Sequence, residues 1–126
     1  MNNNPVGWFE IYVADMARAK AFYEAVFGKT LNPIPVPEAG DLEMWAFPWV
    51  EGGPGAAGAL VKLEGCPPGG GGTLVYFSCE DCAVEEAKVA PAGGKIARPK
   101  FSVGQWGYIS LVVDPEGNMI GLHSEK

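Results

Sequence analysis

The sequence holds one histidine, His123, and three cysteines, Cys66, Cys79 and Cys82, in 126 residues. An odd thiol count gives no disulfide framework, and a chain of this length buries roughly two thirds of its unfolded surface without covalent staples, so free thiols in a reducing compartment are expected. Basic side chains are scarce as well: 9 Lys and Arg stand against 15 Asp and Glu, a net charge of −6. That field repels phosphate backbones and anionic lipid, which excludes nucleic acid and membrane surfaces as expected partners. No run approaches the roughly 18 to 20 apolar residues of a bilayer crossing. The opening Met1-Asn2-Asn3-Asn4-Pro5 lacks the basic and apolar regions of a secretory leader, so cytoplasmic residence is expected. The four glycines Gly69 to Gly72 are not followed by Gly-Lys-Ser/Thr and form no phosphate loop. No Ser, Cys or second His stands in a relation to His123 that builds a triad.

What is present is ordinary globular material, 48% hydrophobic and 19% charged, enough for one core and a single domain over residues 1–126. The chain also matches itself at an offset of 66 residues (81 − 15). Trp8–Lys29 then overlies Leu74–Lys95 without a gap, pairing Asp15 with Asp81, Ala17 with Ala83, Ala21 with Ala87, Gly28 with Gly94 and Lys29 with Lys95. A repeat fixes architecture before any residue receives a role.

In the first copy, Trp8 to Val13 reads as a strand, with Phe9, Ile11 and Val13 on the side facing a helix. Asp15 is an N-cap, a helix is predicted over 16–27, and Gly28 supplies its left-handed stop. Ala19, Phe22, Tyr23, Val26 and Phe27 fall at the spacing of a buried stripe. The second copy repeats this with a strand over 74–79, Asp81 as cap, a helix over 82–90 shortened by Pro91, and Gly93-Gly94 as the stop. Further strands are predicted at 31–36, 42–49 and 57–63, then at 95–99, 107–113 and 119–123, the last two joined through Asp114-Pro115-Glu116-Gly117-Asn118. The fold class is α+β: βαβββ twice, unit one about 6–64 and unit two about 73–126, with a flexible Gly-rich linker at about 65–72.

The strand, the Asp15 cap, the run Arg18-Ala19-Lys20-Ala21-Phe22-Tyr23-Glu24-Ala25-Val26-Phe27-Gly28 and the closing Asp114-Pro115-Glu116-Gly117-Asn118-Met119-Ile120 resemble the vicinal oxygen chelate superfamily over nearly the whole chain. That group includes glyoxalase, bleomycin-resistance and extradiol dioxygenase proteins. The resemblance implies that the mixed sheets of both units curl into a cup with the helices outside and a ligand inside. It also implies a divalent metal held by His or Glu on the first and last strands of each unit. The corresponding positions here are Trp8, Leu74, Gly121 and the Ala59-Leu60-Val61 stretch. None offers the N, O or S side-chain donors a divalent ion needs, so no metal and no cofactor is expected.

Alternation sends Trp8, Glu10 and Tyr12 to the side away from the helix, and Leu74, Tyr76 and Ser78 likewise. Met119 and His123 share the Gly121 side, leaving Ile120 and Leu122 for the core. Trp45, Tyr108 and Ser110 are further candidates for the cup. The expected ligand-binding set is therefore Trp8, Glu10, Tyr12, Trp45, Tyr76, Ser78, Tyr108, Met119 and His123, an aromatic lining with a few polar groups that suits a small organic molecule. Glu10 and His123 are the candidate acid/base groups, each weighed against an ordinary strand residue reaching solvent or a partner. Cys79-Glu80-Asp81-Cys82 is a C-x-x-C, but it spans a strand end and a helix start, and packing is expected of it in place of zinc or redox chemistry.

Three functional readings follow. The first is metal-free binding of a small organic molecule, as in sequestering antibiotic-resistance members. The second is a lyase, isomerase or dioxygenase-type enzyme, using Glu10 without metal or a metal bound elsewhere. The third is a regulatory or interaction module. A homodimer is expected by family analogy.

Overall fold

The computed structural model describes residues 4–36 and 40–126; residues 1–3, which open the sequence, and 37–39 lie outside the described residues. The chain divides into two compact units, Trp8–Thr73 and Leu74–Lys126, the latter taking residues 4–7 as well.

The first unit contains β1 (Val6–Tyr12), α1 (Met16–Phe27), β2 (Asn32–Pro33), β3 (Glu43–Ala46) and β4 (Ala57–Lys62), with sheet order β2-β3-β4-β1. β1 runs parallel to β4, pairing Glu10 with Ala59, while β2, β3 and β4 pair antiparallel. Asp15 starts α1 by accepting the Arg18 N–H at 3.0 Å. Gly28, at φ 65°, ends it by donating to the Glu24 carbonyl at 2.9 Å. Only a residue without Cβ takes that left-handed conformation at no steric cost.

Val13, Met16, Leu31 and Leu60 form the core between sheet and helix, with Ile11, Ala19, Tyr23, Trp45 and Phe47 packed on it. The expected stripe on α1 is thus half right. Ala19 and Tyr23 pack inward, but Phe22, Val26 and Phe27 are 58%, 56% and 60% exposed. A sheet of short strands offers α1 a narrow contact, and Met16 is its only buried residue.

The second unit contains β5 (Thr73–Ser78), α2 (Cys82–Val89), β6 (Lys95–Ser102), a 3-10 turn (Gly104–Trp106), β7 (Tyr108–Val113) and β8 (Met119–Ser124), with order β5-β8-β7-β6. β5 is parallel to β8, and β8, β7 and β6 pair antiparallel. Strand for strand this is the topology of the first unit, so the internal match of the sequence is a match of structure. Asp81 caps α2 by accepting the Ala83 N–H at 3.0 Å, and Ser124 Oγ accepts the Cys82 N–H at 2.9 Å. Cys82, Val112 and Leu122 form its core.

One expectation is corrected: the strand predicted over 31–36 shrinks to Asn32–Pro33. In the run at 65–72, Cys66 bridges Leu63, Gly72 donates to the Gly69 carbonyl at 2.8 Å, and the Gly72 carbonyl accepts from Tyr12 N–H at 2.7 Å.

Candidate functional site

Each unit has a sheet face away from its helix, and these faces carry most of the candidate residues. In the first unit Trp8 and Tyr12 pack with Met44, Ile34, Leu42 and Leu63 around the buried Ala46, Ala59 and Val61. Glu10 stands between Trp8 and Tyr12 on the same strand face and is 6% exposed. The Tyr12 hydroxyl donates to Glu10 Oε1 at 2.8 Å and the Trp8 indole N–H to Oε2 at 3.2 Å. The two-residue period of the strand makes this triplet possible, since every second side chain projects from one face. Burial first, then the Glu10 charge and hydrogen bond, push the Tyr12 phenol well above its ordinary range, so it remains a protonated donor. At the margin of this face the Trp49 ring meets Trp8 edge-on, with centroids 6.2 Å apart at 83°.

Trp45 is not part of this group. In β3 it lies opposite Leu60, on the helix side, and Lys20 of α1 places its ammonium 3.2 Å from the ring centre. Its indole N–H donates to Glu43 Oε2 at 3.0 Å. Met44, opposite Val61, holds the helix-free position that sequence reasoning missed.

In the second unit Leu74 and Tyr76 are buried and Ser78 half-buried, alternating with Phe77 and Cys79, which pack on the helix-side core. The Tyr76 ring lies against Gly121, where any Cβ would collide with it. Met119 is 47% exposed. His123 Nε2 lies 2.6 Å from the Trp106 carbonyl. A carbonyl only accepts, so Nε2 carries the hydrogen and ties β8 to the 3-10 turn.

Tyr108 and Ser110 lie on the other side. Tyr108 pairs with Ser124, whose hydroxyl caps α2, and Lys100 approaches its ring at 4.8 Å. Ser110, fully buried, donates to Glu86 Oε1 of α2 at 2.7 Å, and the same oxygen accepts the Lys100 backbone N–H at 2.6 Å. Glu86 was not singled out from sequence. Its signal would have been a carboxylate on the inner face of a short amphipathic helix. Lys100 also bridges Asp81 at 2.8 Å, holding the Asp81 carboxyl below the usual carboxylate range.

The family's metal does not fit these positions. The Trp8 indole N–H is a donor already directed at Glu10, Leu74, Ala59 and Val61 are buried hydrocarbon, and the space at Gly121 is filled by a phenol ring. Among the described residues no three His, Cys, Asp or Glu side chains gather as ligands. The three cysteines are free, and Cys82 is buried. Cys79 has its thiol pushed up to about 11 by burial and by neighbouring Glu85. An open groove of about 320 Å³ lies elsewhere, along the start of α1, between Asp15, Arg18, Phe22, Tyr23 and Pro68. It contains none of the candidate residues.

Residues 6–44 match the family described as bleomycin resistance protein-like N-terminal. Over 120 residues the chain is 31% identical to CFP32, named as a glyoxylase, from both Mycobacterium bovis and Mycobacterium tuberculosis, covering 91% of this chain and 43% of the relative. The chain therefore spans less than half the length of the curated relatives it matches. Among solved structures, methylmalonyl-CoA epimerase from Mycobacterium tuberculosis superposes with a TM-score of 0.69 at 14% identity, covering 100% of this chain and 93% of that one. A Streptomyces coelicolor methylmalonyl-CoA epimerase variant in complex with 2-nitronate-propionyl-CoA gives 0.67 at 17% identity, covering 95% and 93%. At such identities the likeness is one of fold.

Proposed function

Because this chain belongs to the vicinal oxygen chelate superfamily, among its glyoxalase- and bleomycin-resistance-like members, we propose that it binds a small organic molecule on the Trp8, Glu10 and Tyr12 face without the family's metal. The observation that carries this reading is the Glu10 carboxylate, buried and oriented by an indole N–H and a phenol O–H. A carboxylate held this way is set in one geometry before a ligand arrives, which lowers the ordering cost of binding. The surrounding rings, with Met44 and Trp49, supply apolar contact area and few hydrogen-bonding alternatives. A homodimer, expected by family analogy, is proposed with it and is checked by the mass of the protein in solution.

A second reading, an epimerase or lyase with Glu10 as the base, draws on the same carboxylate and on the methylmalonyl-CoA epimerases among the fold neighbours. Two observations weigh against carrying their substrate over. Both Glu10 oxygens already accept hydrogen bonds, so a substrate proton would have to compete with the Trp8 and Tyr12 donors for them. A net charge of −6 also disfavours the phosphates of a CoA ester.

A thermal-shift screen of small organic molecules tests the proposal. A ligand at 100 times its Kd stabilises by about 2.7 kcal/mol. Stabilisation should vanish in Trp8→Phe and Glu10→Gln. A hit unaffected by either change would place binding elsewhere, and turnover of a hit that requires Glu10 would favour the enzyme.

A further inference from the structure

We infer that the ligand of this face is an organic cation of low hydration, a quaternary ammonium or an N-alkylated heteroaromatic, received on the rings of Trp8 and Tyr12 with Glu10 as the charge behind them. This rests on the small-molecule reading above and names the class of ligand. Glu10 is 6% exposed and bonded to two half-buried rings, so its carboxylate lies behind them. A ring whose N–H or O–H donates to a carboxylate is polarised: electron density moves away from the hydrogen and onto the π face. That face already attracts cations through its quadrupole, most strongly for an indole.

The Trp49 ring, standing at 83° to Trp8, adds a second aromatic wall at right angles to the first. Two perpendicular rings make a corner, and a corner suits a compact, alkylated charge better than a flat neutral ring, which prefers one stacking surface. Trp49 is 46% exposed, so this wall lies on the solvent side. The buried carboxylate, with its oxygens bound to an N–H and an O–H, makes a poor ligand for a hydrated metal ion, which requires several direct donors. An anion would face the same charge with the opposite sign.

The test uses three probes of similar size on the full chain: benzyltrimethylammonium, benzyl alcohol and benzoate. Binding is followed by tryptophan fluorescence, and its place by the Trp8 indole N–H resonance, assigned by its loss in Trp8→Phe. The cation should bind at least about tenfold tighter than the alcohol, a difference of about 1.4 kcal/mol, with benzoate weakest. Glu10→Gln should reduce that preference to less than about threefold. Trp8→Phe, which keeps a ring but removes the N–H to Glu10, should reduce it as well and serves if Glu10→Gln loses its native spectrum. Equal affinity for cation and alcohol, with the Trp8 signal moving, would overturn the cationic ligand and leave the binding face intact. If no probe moved the Trp8 signal, both readings would fall. A preference surviving both substitutions would take the charge away from Glu10.

Discussion

The ring of Tyr76 occupies the space that any side chain at position 121 would need, because Tyr76 in β5 lies directly beside Gly121 in β8. Gly121→Ala forces the ring aside or shifts the strands and should destabilise the protein by roughly 1 to 3 kcal/mol, as overpacking does. Gly121→Glu, which restores a family ligand type, should cost at least as much and hold no stoichiometric zinc or nickel. Melting curves and metal analysis of the dialysed variants check both. A variant that folded as well as the parent and kept one metal per chain would show that the site is closed only by the residue at 121.

Tyr12 gives the first unit an alkaline pH dependence. Its phenol is raised by burial, by the Glu10 charge and by the hydrogen bond to it, so the folded state holds the proton more tightly than the unfolded one. The associated stability is complete below the unfolded value of about 10 and is lost as pH rises above it. Tyr12→Phe should therefore flatten the alkaline limb of the stability curve. At neutral pH it should cost roughly 1 to 3 kcal/mol by leaving a buried carboxylate oxygen without that donor. Urea unfolding between pH 7 and 11 measures both effects, and an alkaline limb unchanged by the substitution would contradict them.

The parts of this fold that were legible in the sequence are those set by local chemistry. Asp15 and Asp81 cap helices because a short carboxylate reaches its own backbone, and Gly28 ends one because it alone adopts φ 65° freely. The phase of β1 could be read because Trp8, Glu10 and Tyr12 alternate with Phe9, Ile11 and Val13 around one charged residue. Trp45 and Tyr108 could not be placed that way. Their strands carry apolar residues on both faces, so pattern does not say which side meets the helix, and only pairing with Leu60 and Ser124 decides it. The exposure of Phe22, Val26 and Phe27 was hidden for a related reason: helical spacing gives a stripe, and the width of the sheet beneath decides how much of it is covered.

Glu86 is the residue whose loss the second unit should feel most. One of its oxygens accepts both the Ser110 hydroxyl and the Lys100 backbone N–H. Ser110 keeps the Arg98 carbonyl at 3.3 Å as a second acceptor. Glu86→Ala should therefore cost roughly 1 to 3 kcal/mol, chiefly through the stranded Lys100 N–H. Amide exchange at Lys100 should rise with it. Exchange at Lys100 unaltered in a destabilised variant would shift the cause to helix packing.

The pair Cys79 and Cys82 should be chemically quiet. Thiolate is the reacting species, and a thiol pushed up to about 11 is ionised in only about one molecule per thousand at pH 8. Cys79 also directs its sulfur at the Phe77 carbonyl, 3.6 Å away, and Cys82 is fully buried at the start of α2. Iodoacetamide applied to the folded protein at pH 8 should leave both unmodified through an exposure that alkylates all three cysteines of the urea-unfolded chain, as read by peptide mass. Oxidised glutathione should likewise fail to join them, because exchange begins with a thiolate. Rapid alkylation of Cys79, or a Cys79–Cys82 disulfide formed without denaturant, would mean that the strand end opens often enough to make this C-x-x-C reactive, and its role would no longer be packing alone.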